Sequence, residues 1–230
     1  MIDNVMKMNI EEFRQQVKEL AVEQHLLLSG WVYGFTDQAH KKIHDLLADE
    51  KPLPVDVKGE VILYTNPSPA QKGGIIGSVG PATASSVDFY LPELMNLGVI
   101  ATIGKGERSR EAYETICTHG GVYLTAVGGT GALLSGCIEQ WETVAFEKLG
   151  DQAIRRYLLK DFPVTVAADS EGRNLFDIGK FKYRRFYRGQ IDRTKGGDRR
   201  SEAEALLLFA YSPFSFYFDG LVSFKKRLLR

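Results

Sequence analysis

The chain contains 230 residues, of which 44% are hydrophobic, 25% charged and 11% aromatic. This composition is typical of a globular protein, and it excludes collagen-like repeats and a wholly disordered chain. Twenty-nine basic and 29 acidic residues cancel, so the whole chain has no net charge to attract nucleic acid or an anionic membrane. The charge is uneven, because residues 177–230 hold thirteen basic and six acidic residues and carry +7, which leaves −7 on residues 1–176.

The cysteine content and the start of the chain favour a reducing compartment. Cys117 and Cys137 are too few for a disulfide framework, and too few to hold an iron–sulfur cluster. The first residues include no basic segment followed by an apolar one, so no secretion signal is expected. The longest nearly uncharged stretch, residues 206–218, is too short to span a bilayer. We therefore expect a cytoplasmic protein without a transmembrane helix.

Helical and extended patterns alternate along the first 170 residues. Asn9 and Glu12 have the spacing of a capping box, and Asp37 is placed to cap the second helix. Strands separated by helices of this length indicate an α/β fold. In chain order, the patterns predict a helix over 10–22, strand 26–33, helix 37–47, strand 61–64, strand 75–79, helix 88–97, strand 99–103, helix 108–118, strand 122–127, helix 130–137, strand 143–146, helix 151–159 and strand 164–168.

The rest of the chain differs in character from this body. We divide the sequence into a domain over residues 1–176 and a basic, aromatic extension over residues 177–230. Large apolar side chains are concentrated in residues 206–218 and are flanked by basic residues, which predicts an interface. The expected partner is an acidic apolar protein surface, either on another subunit or on a second copy; a membrane surface is the competing interpretation.

A lysine between two glycines, Gly104-Lys105-Gly106, follows an apolar predicted strand. The glycines allow a sharp turn and leave one ammonium at the carboxyl end of the strand, where open α/β sheets bind their ligands. The segment lacks the spacing of a nucleotide-binding loop. An anion site and a solvated surface lysine both remain open at this point.

A run of small hydroxyl residues lies between a predicted strand and a predicted helix. It begins at Gly80-Pro81 and ends at Asp88, which is placed to cap the helix. Backbone N–H groups and hydroxyls at a helix N-terminus suit a carboxylate or a phosphate, although a well-capped loop explains the same pattern. His40 and His44, four residues apart on a predicted helix, have no third ligand, so no metal site is predicted.

These motifs belong to a series of short segments spread over residues 10–176. They are Leu28-Ser-Gly30, Asp37-Gln-Ala-His-Lys41, Gly77-Ser-Val-Gly80-Pro-Ala-Thr83, Asp88-Phe-Tyr90-Leu-Pro92-Glu-Leu94, Ile103-Gly-Lys-Gly106, Ala126-Val-Gly-Gly129, Asp161-Phe-Pro163 and Asp169-Ser-Glu-Gly172. In this order they resemble the β subunit, or the equivalent C-terminal domain, of class I fumarate hydratases and L-tartrate dehydratases, which are iron–sulfur hydro-lyases.

The resemblance implies a swivelling β/β/α domain, a layered sheet with helices. In these enzymes the α subunit or N-terminal domain holds a 4Fe–4S cluster, so we expect no cofactor in this chain and an α-type iron–sulfur subunit as its partner. The β part supplies groups that bind a small carboxylate substrate and handle protons. The resemblance therefore implies Thr83 and Asp88 as catalytic residues, and as substrate-binding residues Lys105, Ser86, Thr36, Asp37 and His40.

Four positions depart from the family pattern, one of which is Val87 in place of a methionine. Thr36 and Ser86 stand where the family carries arginines that bind substrate carboxylates, and Ala82 replaces a threonine assigned to proton transfer. Each lost arginine removes a strong, charge-assisted contact with a carboxylate. Hydroxyls at Thr36, Ser85 and Ser86 therefore favour a ligand with less charge than a dicarboxylate.

Two functions follow from these observations. The first is one half of a carbon–oxygen hydro-lyase, a β subunit that is inactive alone and that acts on a hydroxy acid in a homo- or hetero-oligomer. The alternative is a divergent, non-catalytic module for ligand binding or assembly that retains the fold.

Overall fold

The computed structural model of the chain describes residues 5–69 and 76–191. Val5–Phe176 pack into one compact unit, and residues 177–191 belong to a second unit. The interface predicted for residues 206–218 lies outside the described residues. None of the described helices is long and apolar enough to cross a membrane.

The described residues form one mixed sheet of seven strands. Strands β1 to β5 are parallel to one another, whereas β7 runs antiparallel to its neighbours. The strands are β1 (Val5–Asn9), β2 (His25–Phe35), β3 (Val61–Tyr64), β4 (Ala101–Gly104), β5 (Val122–Thr125), β6 (Ile138–Ala145) and β7 (Ile154–Ala168).

The sheet closes on itself because β7 pairs with two distant strands. Its second half pairs with β5 (Leu124 with Val166), and it also pairs with β2 over most of its length (Val32 with Tyr157). Strands β2, β3, β4, β5 and β7 thereby form a closed five-stranded barrel, to which β1 and β6 are added at the edges. The predicted α/β class is confirmed. The prediction of a layered sheet is corrected, because the sheet closes into a barrel. The description as a swivelling domain stays a prediction.

Side-chain alternation along the short central strands builds two apolar cores. In β3, Val61 and Leu63 belong to the core inside the barrel, whereas Ile62 and Tyr64 belong to a second core outside it. The period of two is the geometry of a strand that is buried on both faces. The outer core contains residues of α2, α3 and α4, so these helices cover the barrel along β3 to β5.

Six α-helices lie in the described parts of the chain. The first begins with the predicted capping box: the Asn9 side chain accepts from the Glu12 N–H at 2.9 Å, and the Glu12 carboxylate accepts from the Asn9 N–H at 3.1 Å. It is shorter than predicted, because residues 17–19 tighten into a 3-10 turn. The helices are α1 (Ile10–Gln16), α2 (Asp37–Ala48), α3 (Leu91–Asn96), α4 (Arg110–Thr118), α5 (Gly131–Leu134) and α6 (Leu175–Ile191).

The helix predicted over residues 151–159 is wrong, because β7 begins at Ile154. Arg155, Tyr157 and Leu159 are buried while the residues between them are more exposed, which is the alternation of a strand. Pairing with β2 on one side and β6 on the other satisfies the backbone of this segment and overrides its local helical pattern. The strand predicted over 75–79 is also wrong in its described part, since residues 76–79 form no strand.

Candidate functional site

The carboxyl ends of four parallel strands meet at one edge of the barrel. The register pairs Phe35 of β2 with Tyr64 of β3, and Gly104 of β4 with Thr125 of β5, so the chain leaves each strand at a similar level. Loops that follow such strands commonly build ligand sites in α/β proteins. The predicted site residues lie on the loops and helices that start at this edge.

Lys105 lies directly after β4, on a loop joined by backbone hydrogen bonds to the loop that contains Thr83. The Lys105 N–H donates to the Ala82 carbonyl at 2.9 Å, and the Ala84 N–H donates to the Lys105 carbonyl at 3.0 Å. The side chain of Lys105 is partly buried and makes no ion pair or side-chain hydrogen bond with the described residues. One free ammonium is therefore held at this edge by an ordered backbone.

The loop opposite Lys105 approaches the lysine closely at Gly128. A Cβ atom at Gly128 would lie 3.0 Å from Cδ of Lys105, closer than nine in ten such contacts in proteins. The loop after β5 thus approaches the lysine stem closely because residue 128 has no side chain. Tyr123 in β5 supports the same region, since its hydroxyl donates to the Gly106 carbonyl at 2.9 Å.

Thr83 and Ser86 are both exposed, but their hydroxyls differ in availability. The Ser86 hydroxyl donates to the Thr83 carbonyl at 2.7 Å, which closes a local turn at the start of the 3-10 helix Ala84–Tyr90. The Thr83 hydroxyl has no hydrogen-bond partner among the described residues. Thr83 is therefore the hydroxyl that this loop presents to solvent.

Asp88 does not cap a helix as predicted, because its carboxylate is bound elsewhere. Oδ1 accepts from Nε of Arg108 at 2.7 Å and lies 2.6 Å from Nη2, while Oδ2 accepts from the Ser109 N–H at 2.7 Å. Ser109 is the N-cap residue of α4, whose N-terminus favours a negative charge. The catalytic role of Asp88 stays a prediction, and the geometry gives its carboxylate partners within the chain.

Thr36 is buried and its hydroxyl is fully used by the backbone. It caps α2 by accepting from the Ala39 N–H at 3.2 Å, and it donates to the Gln152 carbonyl at 2.9 Å. The cap predicted at Asp37 is therefore one residue too late, and Asp37 is the exposed first residue of the helix. A hydroxyl that already donates one hydrogen bond and accepts another offers little to a ligand.

His40 is buried beneath this edge among aromatic rings. Its ring centroid lies 5.3 Å from that of Phe35, 5.1 Å from Tyr64 and 5.9 Å from Tyr90. Nδ1 donates to the Thr36 carbonyl at 2.8 Å, and Nε2 has no hydrogen-bond partner among the described residues. Burial lowers the pKa of His40 to about 4, which outweighs the opposing effect of the Thr36 carbonyl. The imidazole is thus neutral near pH 7 and has almost no contact with solvent.

The described residues do not form a site for a metal ion or an iron–sulfur cluster. No group of three His, Cys, Asp or Glu side chains among them lies close enough to bind a metal. Cys137 is buried in the barrel core, and burial raises its pKa to about 11, which disfavours the thiolate that would bind iron. Cys117 donates instead to the Ser170 carbonyl.

The sequence analysis missed Arg108, the most buried charge at this edge. Its side chain is fully buried, although the sequence around it, Glu107-Arg108-Ser109-Arg110, reads as a solvated charged turn. Burial opposes the charge of Arg108, but Tyr64 and Asp88 outweigh burial and raise its pKa above the ordinary value. No local pattern distinguishes this arginine from exposed Arg110, because its partners come from other elements of the fold.

The family model for the fumarase C-terminus matches residues 2–179. The chain belongs to this family. Fumarate hydratase 2 of Leishmania major is 32% identical over 173 residues, which cover 74% of this chain and 30% of that protein. The aerobic class I fumarate hydratase of Escherichia coli is 32% identical over 169 residues, 73% of this chain and 31% of that protein.

A third relative has a length similar to that of the matched domain. It is a Methanocaldococcus jannaschii protein with the provisional name L(+)-tartrate dehydratase subunit beta, and it is 31% identical over 170 residues. The match covers 71% of this chain and 87% of that protein. The chain therefore spans less than a third of the two fumarate hydratases but most of the subunit, and the predicted family is confirmed.

Proposed function

We propose that this chain is the β-type part of a two-part hydro-lyase that adds water to, or eliminates water from, a hydroxy acid. Family membership supports the reaction class. The observation that carries the proposal is the unpaired ammonium of Lys105, held at the edge where β3, β4 and β5 end. The relative named as a subunit beta supports a separate α-type partner.

Lys105 and Thr83 have distinct roles in this proposal. The ammonium of Lys105 binds a substrate carboxylate. Elimination of water breaks the C–O bond of the hydroxyl and a C–H bond on the neighbouring carbon, so it needs a proton acceptor for the C–H and an acid that assists the leaving hydroxyl. The exposed Thr83 hydroxyl is the candidate for relaying that proton, since it can accept the proton while it passes its own to solvent water, and Asp88 holds its loop. A 4Fe–4S cluster on the α-type subunit would supply that acid as a Lewis-acidic iron.

The charge at this edge supports a substrate with fewer carboxylates than fumarate or tartrate. Arg108 is neutralised by Asp88, which leaves Lys105 as the free cation on the described loops between residues 80 and 109 that lie at this edge. The hydroxyls of Thr36 and Ser86 donate to backbone carbonyls and do not replace the missing arginines. One free positive charge matches one carboxylate.

We also propose a cytoplasmic location, which the two free cysteines favour.

One observation favours the alternative, a non-catalytic module that binds a ligand or assists assembly. The methyl group of Ala82 and the internally bonded Thr36 and Ser86 remove three polar groups from the site. Such a module would retain the Lys105 anion site and lose turnover. The two functions therefore differ in catalysis and agree in ligand binding.

The proposal is tested by anaerobic co-purification of the full chain with an α-type iron–sulfur subunit, followed by hydration assays over mono- and dicarboxylates. We expect the assembled pair to turn over a monocarboxylate, and we expect no turnover by either chain alone. Lys105→Met should weaken substrate binding by about 1.5–3 kcal/mol, the range for a hydrogen bond to a charged group. Lys42→Met, which removes an exposed lysine on α2, serves as the matched control.

Two results would contradict the proposal. Unchanged affinity in Lys105→Met would show that Lys105 is an ordinary surface lysine. Tight ligand binding without turnover by the assembled pair would instead identify the non-catalytic module.

A further inference from the structure

We propose that Arg108 and Asp88 form a buried clamp that positions Lys105 and Thr83 for their ligand. The inference deepens the proposed function and rests on Lys105 as the carboxylate contact. Arg108 and Asp88 are positioning residues in this proposal, because they act through the two loops and not by touching the ligand.

The guanidinium of Arg108 connects three strands to the 3-10 helix Ala84–Tyr90. In addition to Asp88, it donates through Nη1 to the hydroxyl of Thr102 in β4 at 2.9 Å. Its Cζ atom lies 5.3 Å from the ring centroid of Tyr64 in β3 and 5.2 Å from that of Tyr123 in β5. The arginine is thus enclosed by side chains of β3, β4 and β5, which use both its planar fork and its charge.

The clamp joins the far ends of the two loops that form the candidate site. One loop runs from Thr83 to Asp88, and the other runs from Lys105 to Arg108. Their near ends are already joined by the backbone hydrogen bonds around Lys105. With the near ends and the far ends both tied, Thr83 and Lys105 are held in one fixed relation.

The remaining bonds of the Lys105 loop point to the same function. The hydroxyl of Tyr113 in α4 accepts from the Arg108 N–H at 3.0 Å, and Tyr123 donates to the Gly106 carbonyl. These bonds come from fixed elements and end on the backbone of the loop. Residues 105–108 are therefore anchored on several sides, although Lys105 itself keeps a free ammonium.

Without the carboxylate of Asp88, we expect the two loops to separate. Arg108 would then be a buried cation without a counter-ion, which proteins tolerate poorly, so the segment would move to hydrate it. Such movement would break the bond between Ala84 and Lys105 before it disturbs the barrel core. A local loss of order at these two amides is the signature of the clamp.

The test compares Asp88→Ala with Asp169→Ala in the full chain. Asp169 offers a matched carboxylate, because it is buried, accepts from Arg173 Nε at 2.7 Å and also accepts backbone N–H groups. It follows β7, whose Ala168 pairs with Tyr123 near the start of β5, so it lies at the opposite edge of the barrel. The measurements are amide hydrogen exchange by NMR and titration with glycolate, the simplest 2-hydroxy acid.

In Asp88→Ala, we expect the amides of Ala84 and Lys105 to exchange at least tenfold faster relative to the core amide of Leu124. Glycolate affinity should fall at least fivefold. In Asp169→Ala, both the exchange ratio and the affinity should match the wild type. If Asp88→Ala does not fold, the double variant Asp88→Ala with Arg108→Met removes the unpaired charge and should show the same local loss.

The clamp is overturned if Ala84 and Lys105 exchange no faster than in the wild type relative to Leu124. It is also overturned if their exchange rises but glycolate affinity stays unchanged. Lys105→Met separates this outcome from a failure of the proposed function, because it leaves the clamp intact. If glycolate binds equally well to Lys105→Met, the carboxylate site is wrong, while the exchange data still decide whether the clamp orders the loops.

Discussion

At the scale of single residues, the environment of His40 changes the chemistry of an ordinary side chain. The sequence places it in a motif segment beside Thr36 and Asp37, which led to a predicted substrate contact. The structure buries the imidazole among three aromatic rings with one hydrogen bond, to the Thr36 carbonyl. A buried base without a counter-ion is held in its neutral form.

The stability of the folded chain should therefore depend on pH through His40. In the unfolded chain His40 binds a proton near its ordinary pKa of 6.5, whereas in the folded chain its imidazole stays neutral down to about pH 4. The stabilisation is thus fully present above pH 6.5 and is lost as the pH falls towards 4, by about 3 kcal/mol in total. Urea unfolding at a series of pH values measures this loss.

Two variants separate His40 from the other titrating groups. His40→Gln should weaken the dependence between pH 6.5 and 4, because its proton-binding difference is removed while that of His25, whose pKa is also lowered by burial, remains. His119→Gln, which replaces an exposed histidine, should leave it unchanged. An identical pH dependence in the wild type and in His40→Gln would contradict the prediction.

At the scale of elements, helix α2 shows how a single cap connects distant segments. Thr36 satisfies the first turn of α2 and also donates to Gln152, in the segment that leads into β7. An N-cap is a local feature, but the second bond spans more than a hundred residues. Thr36 therefore stabilises both the start of the helix and its position against the barrel.

We expect Thr36→Ala to lower the free energy of unfolding by about 1–2 kcal/mol, because both hydrogen bonds are lost. Thr36→Ser retains the hydroxyl, so it should remain within about 0.5 kcal/mol of the wild type. Urea denaturation of the two variants measures the difference. Equal stability of Thr36→Ala and Thr36→Ser would show that the hydroxyl contributes nothing.

At the scale of the whole molecule, closure of the barrel depends on β7. This strand pairs with β2, β5 and β6, and it brings residues near the end of the compact unit against residues near its beginning. Leu175 and Phe176 then pack against the outer core. The unit Val5–Phe176 thus contains both of its cores.

Truncation after residue 176 should leave this unit folded, with a melting temperature within about 4 °C of the full chain. It should abolish subunit association, because the apolar, basic-flanked segment 206–218 is removed. Light scattering and thermal unfolding measure the two effects. Truncation after residue 200 also removes residues 206–218 but keeps α6, so it separates loss of this segment from loss of the helix. An unchanged assembly mass would reject the interface, and loss of liposome binding would favour a membrane surface instead.

Much of the local structure could be predicted because its causes lie within a few residues. The capping box at Asn9 and Glu12 and the buried strand over residues 61–64 are confirmed. Lys105 between two glycines was also recognisable, since glycine spacing at the end of an apolar strand is itself a local signal. The family could be identified because many such segments occur in the same order along one chain.

Only the tertiary structure decided where these segments meet. The strand at Arg155–Leu159 has a helical local pattern and becomes extended because β2 and β6 offer hydrogen bonds on both sides. Arg108 looks solvated in the sequence and is buried because Asp88, Tyr64 and Tyr123 arrive from three other elements. The sequence by itself determined the short-range caps, strands and family motifs. The closed barrel and the buried charge pair required the fold, because their stabilising partners lie tens of residues or more apart in the chain.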